Sequence, residues 1–404
     1  ERMICMWEST ININEVKEIR SKTTVYLGVG AIKKINDIAA ELSKKGIKNV
    51  IVVTGKGAYK KTGAWDYVES ALKENSIGYA LYNKVTPNPD VDQVDEATKM
   101  ALEIGATAVI GIGGGSPIDT AKSVAILLSY PDRTARDLCE FRFTPEKAAP
   151  VIAINLTHGT GTEADRFAVV SIPEKKFKPA LAYDCIYPIY AIDDPSLMTK
   201  LPKNQTCYVS VDAVNHVFEA ATSKVTSPYT VLLAKETVRL VGHYLPIALK
   251  DPENLEARYY LTYASMIAGI CFDNGLLHFT HALEHPLSGV KPEITHGLGL
   301  GILLPAVIRQ TYAAVPEIIA EILSPIVDGL KGNKDEVEKA VSGMEKWLNS
   351  VGITEKLSDL GFKKEDVDKL TNLAFETPSL DLLLSMAPVD ATKDVVRKIY
   401  SDSL

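Results

Sequence analysis

The side chains best suited to chemistry are one carboxylate and several imidazoles between residues 206 and 301. Asp212 and His216 lie four residues apart in a segment with helical spacing of apolar residues, so both project from one helix face. His281 follows in H-A-L-E-H-P-L, and His296 in T-H-G-L-G. A carboxylate with imidazoles is a ligand set for a divalent first-row metal such as Fe(II) or Zn(II). The segment is therefore predicted to hold a metal.

Each of these residues alone has a simpler explanation. A single histidine on an apolar helix is usually a hydrogen-bonded core residue, and D-x-x-x-H alone can be a local pair. His278, His281 and His285 lie on neighbouring turns, and Pro286 is expected to end their helix. The combined pattern favours a metal, because burying several titratable groups without partners costs free energy.

Composition is that of an ordinary globular protein and argues against large charged partners. Of 404 residues, 46% are hydrophobic and 24% are charged, and the net charge is −7. Without a long Lys/Arg run, neither nucleic acid nor a membrane surface is expected as a partner. No stretch is long and apolar enough to span a bilayer, and the start of the chain lacks a signal-peptide core. Five scattered cysteines without C-x-x-C indicate reduced thiols in a cytoplasmic protein.

Strands alternate with helices in the first half, which predicts a parallel sheet with helices on its faces. Strands are predicted at 23–30, 49–54, 78–84, 106–112 and 150–156. Beyond about residue 195 the apolar spacing is helical, with breaks predicted at Pro228, Pro246, Pro252, Pro305, Pro325, Gly352 and Pro378. We therefore predict an α/β domain over 1–195 and an all-helical domain over 196–404.

A glycine-rich loop, G-G-G-S-P-I-D-T-A-K (113–122), follows the fourth predicted strand and opens a helix. Glycines let the backbone approach a ligand, and the free N–H groups of a helix start attract a pyrophosphate. Ser116 is predicted as the N-cap and Pro117 as the first helical residue. The alternative is that Ser116 and Asp119 form only a capping pair. The glycine density favours phosphate binding, although Ser116 replaces the third glycine of G-x-G-x-x-G.

Taken together, these motifs resemble the iron-containing (group III) alcohol dehydrogenase family, which shares its architecture with glycerol dehydrogenases and dehydroquinate synthases. The resemblance runs from about residue 20 to 400. It rests on P-N-P (87–89), G-G-G-S-x-x-D-x-A-K (113–122), G-T-G-T-E (159–163), D-D-P-S-L (193–197), D-A-x-x-H (212–216), H-A-L-x-H-P-L (281–287) and H-G-L-G (296–299). It implies an N-terminal dinucleotide-binding α/β domain, an all-helical C-terminal domain, and an active site in the cleft between them.

The resemblance also assigns site residues. The metal ligands that it implies, for Fe2+ with Zn2+ as the alternative, are Asp212, His216, His281 and His296. His285 corresponds to a histidine near the metal that is not a ligand, and we expect it to relay protons because its ordinary pKa suits neutral pH. The residues matching cofactor positions are Asn88, Gly113, Gly114, Gly115, Ser116, Asp119, Thr157, Thr160 and Lys178.

The residues after the second strand favour NADP(H) over NAD(H). NAD-preferring relatives often carry an Asp there for the ribose hydroxyls, whereas this chain has Gly55, Lys56 and Gly57. A lysine with glycine N–H groups suits a 2′-phosphate. The alternative is that Lys56, Lys60 and Lys61 merely solvate the start of a helix.

Two departures from the family pattern leave substrate choice open. His158 stands in a small-residue slot beside the cofactor, and His278 replaces a glycine three residues before His281. Since His278 could be taken for the ligand, the H-A-L-x-H run is what favours His281.

The sequence thus predicts reversible hydride transfer between primary alcohols or aldehydes and NADP(H), in a homodimer or larger homo-oligomer. One alternative is an NAD-dependent polyol dehydrogenase of the glycerol type. Another is a dehydroquinate synthase-type lyase, against which the ligand set and the lack of an evident basic phosphate pocket both count. A non-enzymatic metal-binding protein is the third.

Overall fold

The first half of the chain forms a six-stranded parallel sheet with helices on both faces, as predicted. The computed structural model describes residues 7–404, so Cys5 and the start of the predicted first domain lie outside the described residues. The strands of this sheet are β1 (Thr24–Leu27), β2 (Asn49–Gly55), β3 (Gly78–Val85), β4 (Ala108–Gly113), β5 (Val151–Asn155) and β8 (Tyr190–Asp193). An antiparallel ribbon is formed by β6 (Phe167–Val169) and β7 (Ala180–Ala182).

Helices accompany the sheet and make up most of the second half. Those of the first half are α1 (Lys34–Lys44), α2 (Ala58–Lys61), α3 (Ala64–Glu74), α4 (Val91–Glu103), α5 (Gly115–Leu128) and α6 (Ala135–Cys139). Those of the second half are α7 (Lys203–Thr222), α8 (Pro228–Lys250), α9 (Leu255–Gly275), α10 (Phe279–Val290), α11 (His296–Thr311), α12 (Pro316–Leu323), α13 (Val337–Val351), α14 (Val367–Glu376), α15 (Leu380–Ser385) and α16 (Lys393–Asp402). Within residues 7–404, none of these helices has both the length and the apolar composition required to cross a bilayer.

The order of strands places one crevice at the sheet's carboxyl edge. The order is β1-β8-β5-β4-β2-β3, so the chain runs from β2 to β3 at one edge and then returns to add β4 on the other side of β2. Ligands of open parallel sheets bind outside the carboxyl ends of the strands at such a reversal. The loops that begin at Gly55 and Gly113 both lie there.

Alternate residues of β2 pack on opposite faces of the sheet. Val50 and Val52 join a core with residues of α1 and α3, whereas Ile51 and Val53 join a core with residues of α4 and α5. All four are fully buried. Helices on both faces explain why this strand is a continuous apolar run rather than an alternating one.

Three prolines that were predicted to end or break helices lie inside them instead. Pro246 is within α8, Pro286 within α10 and Pro305 within α11. A helical proline loses one backbone hydrogen bond and costs about 3 kcal/mol. Pro286 and Pro305 are themselves buried, so tertiary packing offsets that cost and the helices continue. The other predicted breaks lie at or next to helix ends, at Pro228, Pro252, Pro325, Gly352 and Pro378.

A buried polar contact joins the two halves at His158, in the loop after β5. Nη1 of Arg258, on α9, donates to Nε2 of His158 at 2.9 Å and to Oγ1 of Thr206 at 2.9 Å. His158 Nδ1 lies 3.3 Å from Oγ of Ser210. Burial and the Arg258 charge lower the pKa of His158 to about 3, so the ring is a neutral acceptor. The His158 side chain therefore enters the contact between the halves, and its place beside the cofactor stays a prediction.

Replacing His158 tests how much this contact stabilises the fold. His158→Ala removes one of the two acceptors of a buried guanidinium N–H group, so we expect the free energy of unfolding to fall by about 1–3 kcal/mol. His243→Ala, at an exposed position of α8, is the matched control and should stay within about 0.5 kcal/mol of the parent. Chemical denaturation followed by circular dichroism measures both. Equal values for the two variants would contradict a stabilising contact.

Candidate metal and cofactor site

Three helices bring the predicted metal ligands together. Asp212 and His216 lie one turn apart on α7, His281 is on α10, and His296 is the first residue of α11. Nε2 of His216 lies 3.4 Å, and Nε2 of His281 3.5 Å, from Oδ1 of Asp212. The rings of His216 and His281 stack with centroids 4.6 Å apart, and the His296 ring lies 5.2 Å from that of His281.

The atoms that face one another in this cluster fit a bound cation. Oδ1 of Asp212 and Nε2 of His281 are buried and have no hydrogen-bond partner within the described part of the chain. Because Nδ1 of His281 contacts the Glu219 carboxylate, the ring's proton lies there and Nε2 presents a lone pair to Asp212. Two buried acceptors facing each other repel unless a cation lies between them. The donor set of nitrogen and oxygen suits Fe(II) or Zn(II).

The ionisation of these groups is set by burial and by their neighbours. Burial lowers the pKa of His216 to about 4. Burial opposes ionisation of Asp212, but the imidazoles hold the pKa of its carboxyl well below the usual range. Burial likewise opposes protonation of His281, yet the carboxylates of Glu219 and Asp212 raise its pKa to about 9. Without a metal, a proton can take the cation's place on His281, so metal binding releases that proton.

Glu284, His285 and His296 form a neighbouring group whose ligand atoms lie within 4.8 Å of one another. The ammonium of Lys178 lies inside this group, with Nζ 3.3 Å from Oε2 of Glu284 and 3.5 Å from Nδ1 of His296. Lys178 thus supplies the cation of this second group. His296 Nδ1 also contacts Glu284 Oε2, which leaves the ring's Nε2 for a metal.

Two buried carboxylates that support the histidines were missed in the sequence. Glu219 contacts Nδ1 of His281 through Oε2, and its Oε1 accepts from the backbone N–H groups of His278 and His281 at 3.0 Å each. Glu284 contacts Nδ1 of His296. Such carboxylates fix the tautomer and the orientation of a ligating imidazole. The available signal was a glutamate within one helical turn of a candidate ligand, on an apolar helix.

The ring of His278 caps the N-terminus of α10. As the N-cap of α10, its Nδ1 accepts from the backbone N–H of Phe279 at 2.7 Å. Its Nε2 lies 2.8 Å from Oγ1 of Thr222. With both nitrogens engaged, His278 offers no atom to a metal, and the geometry agrees with the preference for His281.

His285 lies beside the cluster as a neutral imidazole. Its Nδ1–H donates to the backbone carbonyl of Lys178 at 2.8 Å, and its ring lies 5.9 Å from that of His296. Burial and the Lys178 charge hold the pKa of His285 well below its usual value. The expectation of an ordinary pKa near neutrality therefore does not hold, whereas Nε2 stays available as a hydrogen-bond acceptor.

The loop after β4 approaches its neighbours so closely that only glycine fits. A Cβ on Gly114 would lie 2.9 Å from Thr157, and one on Gly115 would lie 2.7 Å from Thr160. Helix α5 begins at Gly115 with Gly114 as its N-cap, so the predicted cap at Ser116 is two residues late. The glycines therefore bring the predicted cofactor threonines against the start of α5, where free N–H groups attract a phosphate.

The side chain of Asp119 holds a loop in place. It accepts from Oγ1 of Thr162 at 2.7 Å and from the backbone N–H of Val169 at 2.9 Å. It makes no capping bond to the N-terminus of α5, so the alternative of a Ser116–Asp119 capping pair is wrong. Gly55 ends β2 at the crevice, and the two residues after it, Lys56 and Gly57, are exposed.

Asn88 ties the crevice to the helical half. With a left-handed φ of 52°, its amide donates to the backbone carbonyls of Pro292 at 2.8 Å and Ile294 at 3.2 Å. These carbonyls belong to the segment that leads to His296, so this contact joins the predicted cofactor crevice to the candidate metal cluster.

Comparison with known proteins places the whole chain in one family. The model described as "Iron-containing alcohol dehydrogenase" matches residues 22–195, and the C-terminal model of the Fe-containing alcohol dehydrogenase family matches 206–404. The chain is 66% identical to the long-chain primary alcohol dehydrogenase AdhA of Thermoanaerobacter ethanolicus, over 98% of this chain and 100% of that protein. It is 31% identical to the NAD-dependent methanol dehydrogenase of Bacillus methanolicus, over 94% of this chain and 97% of that protein.

Solved structures give the same result. An archaeal halo-thermophilic alcohol dehydrogenase from a Red Sea brine pool has a TM-score of 0.90 at 28% identity, covering 98% of this chain and 100% of that one. The NADH-dependent butanol dehydrogenase A of Thermotoga maritima has a TM-score of 0.87 at 29% identity, covering 96% of this chain and 98% of that one. The chain is thus an oxidoreductase of the alcohol dehydrogenase class, whose relatives use a metal and a nicotinamide cofactor, and it belongs to the iron-containing alcohol dehydrogenase family.

Proposed function

We propose that this protein catalyses reversible hydride transfer between a primary alcohol and NADP+, releasing an aldehyde, NADPH and a proton. The observation that carries the proposal is the buried cluster in which Asp212, His216 and His281 direct ligand atoms at one another. Together with His296, these residues would hold Fe(II), with Zn(II) as the alternative. When bound, the metal supplies polarisation of the substrate oxygen.

The residues around the cluster favour an alkyl substrate. Phe272 stacks on the ring of His216 with centroids 4.4 Å apart, and Phe167 lies 5.1 Å from Phe272. An aromatic wall beside the ligands suits burial of an alkyl chain. The 66% identical relative is named a long-chain primary alcohol dehydrogenase, which supports the same substrate class.

We propose His285 as the residue that passes a proton between the site and its surroundings. Its neutral Nε2 can accept a hydrogen bond while Nδ1 stays anchored on the Lys178 carbonyl. Removing such a group typically costs about 10²-fold or more in rate. The His285→Ala variant should have a kcat lower by about that factor and should still bind metal. An unchanged kcat would contradict the role.

The preference for NADP(H) rests on the residues after β2. Gly55 stands where the family resemblance associates an acidic residue with NAD, and Lys56 is exposed beside it. Lys56 forms no ion pair with any carboxylate in the described range 7–404, so its charge is available to a 2′-phosphate. The cytoplasmic location and the homo-oligomeric assembly stay predictions from the sequence.

Loss of a ligand histidine tests the metal site. His216→Ala and His281→Ala are each expected to lose bound metal and at least about 10³-fold in activity, because several kcal/mol of transition-state stabilisation disappears. Butanal reduction with NADPH, on protein reconstituted anaerobically with Fe(II) or Zn(II), gives the activity, and elemental analysis gives the metal content. His243→Ala, at the exposed position of α8, is the control. A variant that stays active without metal would refute the site.

A substitution at Gly55 tests the cofactor preference. Gly55→Asp restores a carboxylate, and a Cβ there meets only the Val85 carbonyl at 3.4 Å, so the side chain fits. We expect the ratio of kcat/KM for NADPH to that for NADH to fall about 10–100-fold, as expected for a charged hydrogen bond of about 1.5–3 kcal/mol. Lys60→Ala, also exposed nearby, is the control. If the parent protein has the higher kcat/KM with NADH, the proposed preference is wrong.

A further inference from the structure

Glu284 is fully buried on α10 and contacts residues from both halves of the molecule. Its Oε2 contacts Nδ1 of His296 and lies 3.3 Å from the ammonium of Lys178. Its Oε1 accepts from the hydroxyl of Ser288. Lys178 belongs to the segment just before β7, in the first half of the chain, so one carboxylate holds a candidate metal ligand and a residue of the cofactor half at once.

The surrounding backbone is shaped around this side chain. A Cβ on Gly299 would lie 2.9 Å from Cγ of Glu284, so the first turns of α11 leave room for the carboxylate only because that position is glycine. A Cβ on Gly289 would lie 2.3 Å from the carbonyl oxygen of Lys176. Glycine thus lets α10 lie directly against the segment that carries Lys178.

A buried carboxylate is tolerated only when cations and donors compensate it. At Glu284 the compensating groups are the His296 ring, the Lys178 ammonium and the Ser288 hydroxyl. Because Oε2 of Glu284 contacts Nδ1 of His296, the ring proton lies on Nδ1 and Nε2 is left as the lone pair for a metal. The ammonium of Lys178 then balances the charge from the other side.

We propose that Glu284 is a positioning residue that fixes the tautomer and the orientation of His296 and, through the same carboxylate, anchors Lys178 at the cofactor side of the cleft. This inference rests on the proposed metal site. Glu219 supports His281 from within the helical half alone. Glu284 instead links the geometry of the metal ligand to the approach of the two halves.

Metal binding to the apoprotein tests this without relying on turnover. Cobalt(II) is titrated into the parent protein and into Glu284→Gln, while the visible ligand-field absorption and the heat of binding are recorded. Glu284→Gln is expected to raise the cobalt dissociation constant about 10–100-fold, the usual cost of losing such a support, and to change the absorption band. Glu293→Gln is the matched control, because Glu293 is an exposed residue three positions before His296. It should behave as the parent does.

Two further variants separate positioning from general packing. Lys178→Met removes the ammonium but keeps the carboxylate on His296, so cobalt affinity should not fall, whereas NADPH binding measured by fluorescence should weaken. Ser288→Ala removes one hydrogen bond to Glu284, and we expect a smaller rise of the cobalt dissociation constant, below about 10-fold. Ser288→Ala also tests the role of Glu284 if the Glu284→Gln variant folds poorly.

The outcomes distinguish this inference from the proposed function. If the parent protein binds no cobalt, the proposed metal site itself fails. If the parent binds cobalt and Glu284→Gln binds it with equal affinity and an equal spectrum, only the role of Glu284 is overturned. An equal loss of cobalt affinity in Glu284→Gln and Lys178→Met would show that the carboxylate acts through packing of the two halves. That result would also overturn the positioning role of Glu284.

Discussion

The structure of the helical half depends on compensating the charge of carboxylates buried beside one another. Asp212, Glu219 and Glu284 are all shielded from solvent, and an isolated buried carboxylate would cost several kcal/mol. Each instead faces imidazole rings. Glu219 contacts Nδ1 of His281, and Glu284 contacts Nδ1 of His296. Of these three carboxylates, only Asp212 has an oxygen that faces another acceptor, because its Oδ1 faces Nε2 of His281. Asp212 Oδ1 and His281 Nε2 thus face each other without a hydrogen-bond partner in residues 7–404, at the point where a cation would be bound.

The distance between that point and the glycine loop is fixed by contacts between the two halves. Gly161 and Gly269 touch through their backbones, since a Cβ on either would lie 2.5 Å or less from the other residue. The His158–Arg258 pair and the bonds from Asn88 hold the same junction with polar groups. Hydride transfer requires the reacting atoms to lie in near-contact, and these contacts between the halves hold the candidate metal cluster close to the glycine loop, as the proposed reaction needs.

How far the sequence predicts this arrangement depends on the range of the interaction involved. The parallel sheet, the glycine loop and the grouping of Asp212 with His216 follow from local spacing, and the strands lie within a few residues of their predicted bounds. Local rules failed at Pro246, Pro286 and Pro305, because burial of the helices outweighed the lost hydrogen bonds. The short strand β8 was missed, because its apolar pattern is weak and its place between β1 and β5 is set by tertiary packing.

The contacts that local spacing could not reveal are those between polar side chains far apart in the chain. Lys178 and Glu284 are separated by 106 positions, and His158 and Arg258 by 100. Lys178 and His158 were noted in the sequence for their place in family motifs, but their partners Glu284 and Arg258 are defined only by the packing of the two halves. Yet a buried charge without a partner would be too costly to keep. A glutamate or arginine on an otherwise apolar helix therefore indicates a partner that is distant in the sequence. In this chain one such pair, Lys178 and Glu284, contacts the candidate metal ligand His296.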